Sequence, residues 1–464
     1  MFTYCQECFE KQREIDYLKE EIQRLKQRLR YKEHKDNEGF FGSSTSSAKI
    51  PIKANTPEKE SKPKGARAGH QGCGRKKITL SEADCIETIA SFVGEKCPNC
   101  GSSLTDKGFD DRMVFDSRPL TVERVIYRLP KKYCSHCRRT FQPSAPGVLP
   151  KSLYGNQLIA NAASMHYLYG IPMGRICEQI GIGAGTLVEI FHHLAKLFNA
   201  VPQRLIEEYR QTPVRHADET GWRINGKNGY VWLFATEKIS IFLFRKTRSA
   251  KIPQTVFGDK PLPGVLVVDR YAGYNKTPCA LQYCYAHLLR DVEDLEKEFS
   301  DSDEVKAFVS VMAPLLTAAM NLRRQQISDN EYSAKAADIK AQIIGAVESP
   351  AIHLGIRHIQ NIFHENTHRM YHWAGDRRVP AENNLAERDL RPTVIARKVS
   401  FGSLSDAGAH TRSVLMSVLH SLKKQNLDVV KHLKDILDQL SKDITLDPLT
   451  LLFPKNLSPP AKSG

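Results

Sequence analysis

The sequence predicts a multidomain α/β protein, and three observations carry that expectation. Two C-x-x-C pairs lie in a strand-rich stretch before residue 150. Helix-period segments broken by glycines fill residues 156–199, and residues 212–285 run through strand-like segments interrupted by short helical ones. With 464 residues the chain is long enough for several domains, each burying its own core. Hydrophobic residues make up 41% and charged residues 26%, the mix of a soluble globular protein. No run of about 18 apolar residues is evident, so no membrane span is expected. The opening MFTYCQECFEKQREI carries charges where a secretion signal needs an apolar stretch, so a cytoplasmic protein is expected, nucleoid-associated if bacterial. The net charge of +15 favours a polyanionic partner, and nucleic acid is the commonest.

In chain order, residues 1–32 contain Ile15, Leu18, Ile22, Leu25 and Leu29 at alternating spacings of three and four, the seam of a short helix that joins two copies as a coiled coil or packs on the body. Cys5 and Cys8 precede it as free thiols or as half a metal site. Residues 33–80 are poor in apolar side chains and rich in Ser, Gly, Pro and Lys, a flexible linker. Its basic arm includes Lys62, Lys64, Arg67, Arg75, Lys76 and Lys77, which can track phosphates or serve as a solvated tether. Residues 81–150 form a small β module, with VERVIYRLPKKY and RRTFQP as strands. Cys97, Cys100, Cys134 and Cys137 can close a tetrahedral structural Zn²⁺ site, and His136 is a possible substitute for one thiolate. The eleven cysteines of a non-secreted chain fit metal ligands and reduced thiols better than a disulfide framework. Residues 151–210 are helical. MGRICEQI, a glycine turn at Gly181–Gly185 and TLVEIFHHLAKLF have helix-turn-helix form, offering Thr186 to Lys196 to a DNA groove unless the helix simply packs.

Residues 211–285 are expected to be the first part of a catalytic core. TPVRHADETGWRI, GYVWLFATE and ISIFLFRK form an antiparallel meander. A helix at SAKIPQTVF, the buried strand GVLVVD and a further strand at LQYCYA follow, with a helical crossover between the last two. That order is RNase H-like. Asp218 falls on the first strand and Asp269 ends the run Val265–Val268. Carboxylates on buried adjacent strands repel each other unless divalent cations relieve the cost. Residues 381–445 complete the core with an acidic helix and C-terminal helices, followed by a tail at 446–464. On the helix AENNLAERDLRPTVIARK, Asn383, Glu387 and Arg391 recur every four residues. That stripe suits a metal-binding carboxylate flanked by phosphate-contacting groups. Glu382 is the reserve.

The strings ADETGW, VDRYAGY, CYAHLLRD and NNLAERDLRP, with the paired C-x-x-C upstream, resemble transposases of the insertion-sequence-66 family. FFGSS, GHQGCGR, the GIPMGR region and LLFPKN extend the resemblance over nearly the whole chain. It implies an RNase H-like domain whose acidic triad is Asp218, Asp269 and Glu387, with a helical insertion at about residues 286–380. The helix-period segment VKAFVSVMAPLLTAAMNL agrees with that insertion. The family tends to carry a second Arg where this chain has Leu288-Leu289-Arg290, and Asp in place of Glu382.

The resemblance also implies strand cleavage and strand transfer by two Mg²⁺ (or Mn²⁺) ions about 3.5–4 Å apart. Its DNA partners are the element's terminal inverted repeats and the target. It further implies a homo-oligomer, at least a dimer on DNA, and possible accessory proteins of the same element. Arg391, Arg397 and Lys398 would meet the DNA backbone, with Arg75, Lys76 and Lys77 in the linker. His287 would orient a scissile phosphate or be structural; Trp373 would stack a flipped base or be packed. Two rival readings stand beside this one: a nuclease or resolvase with the same carboxylates, and a zinc-ribbon, helix-turn-helix regulator whose RNase H-like half is inactive.

Overall fold

The computed structural model describes residues 122–453 apart from 137, 142 and 426, together with residues 81 and 99–103 and nine positions between 11 and 25. Those nine positions are helical, and the seam residues Ile15, Leu18 and Ile22 are exposed on the single chain. The expected basic linker lies outside the described residues. So do Cys97 and Cys137 of the expected zinc ligand set, and only the backbone of Cys134 is described. Cys100 Sγ lies 3.5 Å from Ser102 Oγ.

A small antiparallel hairpin joins β1 (Lys132–Cys134) to β2 (Arg139–Phe141). The long strand expected through VERVIYRLPKKY forms only at its end. Val122–Lys131 has no regular structure, and Ile126 is 90% exposed. Pro130, within that stretch, lacks the N–H a ladder needs.

The helical region follows as α1 (Asn156–Ala163), which runs into a π turn at Ser164–Leu168, then α2 (Met173–Ile180), α3 (Ala184–Leu197) and α4 (Val201–Gln211). Gly181, at φ +66°, ends α2 in the left-handed conformation that glycine adopts without strain. α3 buries Leu187, Ile190, Phe191 and Leu194, packing on the long helix Asp406–Lys424. His192 Nδ1 lies 2.6 Å from Thr411 Oγ1 across that contact. Within the stretch assigned to a groove, Glu189, His193 and Lys196 are the exposed positions.

The sheet comprises β3 (Val214–Ile224), β4 (Lys227–Ala235) and β5 (Ser240–Arg245) as an antiparallel meander, then β6 (Val265–Val268) and β7 (Ala280–Tyr283), both parallel to β3. Strand order is β5-β4-β3-β6-β7. The β3–β4 loop is Asn225-Gly226, both at positive φ (52° and 71°), the two-residue turn that matches strand twist. Helix α5 (Lys251–Phe257) makes the crossover from β5 to β6. Between β6 and β7 stands only a 3₁₀ turn at Ala272–Tyr274, where the expected topology had a helix.

The insertion is helical: α6 (Tyr285–Glu298), α7 (Asp303–Leu322), α8 (Asp329–Glu348), α9 (Leu354–Glu365) and the short α10 (His372–Gly375). By length and composition alone α7 is apolar enough to cross a membrane, although polar residues interrupt its apolar run. Its buried residues Val305, Val309, Met312, Leu316 and Ala319 instead repeat every three or four residues, toward α6 and α8, as in a bundle helix. Helices α11 (Asn384–Ser400), α12 (Asp406–Lys424), α13 (Val429–Lys442) and α14 (Pro448–Leu452) follow.

Helix α12 covers the open edge of the sheet. Ser240 N and Phe242 N donate to Ser421 Oγ and Ser417 Oγ at 3.0 and 2.9 Å. Ser421 Oγ and Ser413 Oγ donate back to Ser240 O and Phe242 O at 3.2 and 2.5 Å. Three serines spaced four apart thus satisfy the outward backbone groups of Ser240 and Phe242 on β5.

Candidate active site

Successive side chains of β3 point to opposite faces of the sheet. His216, Asp218, Thr220 and Trp222 share the face that meets α11 and α12. Arg215 and Glu219 share the other, toward α5 and Tyr274. The parallel strands then set a row. His216 pairs with Val267, and Val267 with Gln282. Two residues on from each lie Asp218, midway along β3, and Asp269 and Cys284, just past the carboxyl ends of β6 and β7.

Asp218 is hemmed in. Burial pushes its carboxyl well above the usual carboxylate range, and the negative charges of Glu219, Asp269 and Glu387 push it further. Asp269 and Glu387 thus lie close enough to Asp218 for their charges to act on it. Asp218 Oδ1 accepts from Glu219 N at 2.8 Å, and Asp269 Oδ1 accepts from Tyr271 N at 2.9 Å. These bonds fix each rotamer, and among the described residues neither Oδ2 accepts a hydrogen bond.

Glu387 lies in the first turn of α11, whose start is clamped to β3 by Asn383. Asn383 Nδ2 donates to Ala217 O at 2.8 Å, and His216 Nδ1–H donates to Asn383 Oδ1 at 2.9 Å. Burial lowers the His216 pKa to about 4, so the imidazole is neutral. Asn383 was expected to contact phosphate. It is 1% exposed with both amide atoms bonded inside the protein, because α11 begins only at the next residue and the expected helical stripe is broken there. Glu382 also faces inward, accepting from Arg324 at 2.8 Å. Glu387 Oε1 and His287 Nδ1 are buried without hydrogen-bond partners among the described residues, 4.0 Å apart.

Of the basic residues singled out, Arg391 and Lys398 are exposed on α11. Arg397 is half-buried and donates to Gly221 O at 2.5 Å, holding the far end of α11 on β3. Arg75, Lys76 and Lys77 lie outside the described residues. Trp373 is 0% exposed, packed edge-on against Tyr285 at 5.9 Å, so it is a core residue and presents no face to a base.

Sequence reasoning missed Glu219. Its buried carboxylate accepts from Arg248 at 2.6 Å and from Tyr274 at 2.5 Å, beside Asp269. Arg248 in turn lies over the Tyr271 ring, 4.0 Å from its centroid. The signal was present, since ADETGW and RYAGY contain three of the four residues, but only strand parity separates the roles of Asp218 and Glu219.

A model of the family described as "Transposase IS66 family" matches residues 151–411, which span the helical region, the sheet, the insertion, α11 and the start of α12. The chain belongs to that family. This transposase is thus of the class of enzymes that cleave and transfer DNA. It is similar to two uncharacterized proteins of Sinorhizobium fredii. With y4qI it shares 21% identity over 420 residues, 81% of this chain and 76% of that protein. With y4hP it shares 20% over 409 residues, 77% and 72% of the two chains. The transposase's sheet, insertion and carboxylate row all lie within the matched region.

Proposed function

We propose that the transposase binds the ends of its own element and cleaves and joins DNA strands with Asp218, Asp269 and Glu387 as the catalytic acids. The observation that carries this reading is their convergence: two carboxylates level on adjacent parallel strands, and a third from a helix clamped to the same strand. The RNase H-like reading of the core agrees with the strand order.

The donor set suits a hard divalent cation such as Mg²⁺. All donors are carboxylate oxygens, burial and then the neighbouring carboxylates raise the pKa of Asp218, and Glu387 Oε1 has no partner among the described residues. Asp218, Asp269 and Glu387 would hold such ions, which supply an activated oxygen nucleophile and stabilise charge on the scissile phosphate. The protein's own contribution is position and charge. The Glu219 and Tyr271 amides fix the aspartates, and Asn383 sets the height of Glu387 against β3. The exposed Arg391 and Lys398, with the linker's basic arm, would hold the DNA backbone alongside. A Zn²⁺ held by Cys97, Cys100, Cys134 and Cys137, a helix-turn-helix built from α2 and α3, and oligomerisation through the N-terminal helix complete the reading.

The test is incubation of the purified protein with DNA carrying its element's ends in Mg²⁺. Wild type should cut and join, while Asp218→Asn, Asp269→Asn and Glu387→Gln should bind the ends and leave them intact. Normal cleavage by either aspartate variant would end the triad assignment; an active Glu387→Gln would move the third role to Glu382. Wild type that binds but never cuts, even with accessory proteins supplied, would favour the regulator reading.

A further inference from the structure

Beside the carboxylate row lies a second donor set of different chemistry. Cys284 occupies the β7 place in the row of Asp218 and Asp269 and is the residue from which α6 departs. His287 follows three residues later, one helical turn on, so the two side chains share a face of α6. Glu387 faces both from α11. One ligand atom from each of Cys284, His287 and Glu387 falls within 4.8 Å of the others. The unpartnered His287 Nδ1 and Glu387 Oε1 stand 4.0 Å apart, too far to bond each other. A tetrahedral Zn²⁺ with nitrogen and oxygen ligands at about 2.1 Å would set that separation at roughly 3.4 Å. A rotamer adjustment of about half an ångström closes the gap. A backbone N–H already points at the sulfur. Asn383 N donates to Cys284 Sγ at 3.1 Å. Such a donor stabilises a metal-bound thiolate.

We propose that Cys284, His287 and Glu387 form a site for a thiophilic divalent cation of the zinc class, and that filling it withdraws Glu387 from the catalytic carboxylates. The inference rests on the reading of Glu387 as the third catalytic acid. Binding exchanges the Cys284 S–H proton, released to solvent, for a sulfur–metal bond; no electrons are transferred. Mg²⁺ prefers an all-oxygen set and leaves the sulfur and imidazole alone. Zn²⁺ accepts all three donors and keeps a fourth position open. One glutamate cannot serve both ions in full, so the borderline-soft cation acts as a brake on an enzyme driven by the hard one.

The test uses the full chain, with wild type compared against Cys284→Ser and His287→Gln so that the other cysteines cancel. In a Co²⁺ titration, wild type should show more thiolate-to-cobalt charge-transfer absorbance than Cys284→Ser. His287→Gln should bind on the order of tenfold more weakly. Cleavage of end DNA in saturating Mg²⁺ is then measured with and without micromolar Zn²⁺, as a ratio for each protein. Zn²⁺ should slow wild type on the order of tenfold and leave the Cys284→Ser ratio near one. Equal cobalt spectra for wild type and Cys284→Ser would overturn the site. A cobalt difference with equal zinc sensitivity would overturn the withdrawal of Glu387. If Glu387→Gln itself cleaves normally, it is the reading of Glu387 that has failed, and the cobalt spectra still decide the site.

Discussion

At the scale of single residues, Asn383 shows how one buried amide can govern a carboxylate it does not touch. It joins His216 and Ala217 of β3 to the start of α11, and Glu387 N bonds back to Asn383 O at 3.2 Å. Asn383→Ala would leave buried polar groups on β3 unpaired, at about 1–3 kcal/mol each. It would also free the first turn of α11. The expected outcome is a lower urea midpoint and single-turnover cleavage slowed about 100-fold, with end binding kept. Unchanged cleavage in a stably folded variant would remove its positioning role. The place of Asp269 just after β6 was legible because a carboxylate closing an apolar strand has few structural uses. Asn383 was misread because a four-residue stripe looks helical whether or not the helix has begun. Its partner His216 lies 167 residues away, beyond any local pattern.

Among elements, α11 is held at three points: Asn383 at its start, Arg397 at its end, and Asp389 between them. Asp389 Oδ2 lies 2.5 Å from Lys424 Nζ of α12, both side chains largely buried, and also accepts from Ser240 Oγ at 2.9 Å. Lys424 further donates to Thr236 O and Ile239 O at the β4–β5 turn. Removing one charge leaves the other buried and unpaired, so Asp389→Ala should cost about 3–5 kcal/mol in denaturant melts. Asp389→Leu combined with Lys424→Met should recover most of that loss. A double variant no better than the single would show that the amide and serine contacts, not the ion pair, carry the joint. The five strands of the sheet, the Asn-Gly turn and the insertion helices could be read locally, from alternation, turn chemistry and helical period, whereas the strand expected through VERVIYRLPKKY forms only at its end. The 3₁₀ turn in place of a crossover helix could not, because the close spacing of β6 and β7 decides it. Nor could the role of α3, whose apolar face suits a bundle as well as a groove; only the presence of α12 opposite settles where that face goes.

Across the whole molecule, three buried histidines tie stability to pH. Burial lowers His166, His216 and His420 from 6.5 to about 4, and they sit in the π turn, β3 and α12 respectively. Between those values the unfolded chain takes up protons that the folded chain refuses. The stability these histidines contribute is therefore full above about pH 6.5 and falls as pH drops toward 4, by about 3 kcal/mol per site. Urea midpoints from pH 7.5 to 4.5 should fall steeply for wild type and less steeply for His420→Gln; parallel slopes would refute the linkage. The serine-lined cover on β5 matters also in time. Its hydroxyls are encoded 171 to 181 residues after the strand they protect. At ribosomal rates of about 5–20 residues per second, β5 waits roughly ten to thirty-five seconds with its N–H and C=O groups bare. Copies of the gene cut short before residue 406 never supply that cover. Their products should assemble edge to edge, seen as sedimenting aggregates of a 1–400 fragment, whereas a monomeric fragment would show the edge is protected otherwise. A broken copy of this gene would thus yield a self-associating remnant in place of a quiet, inactive one.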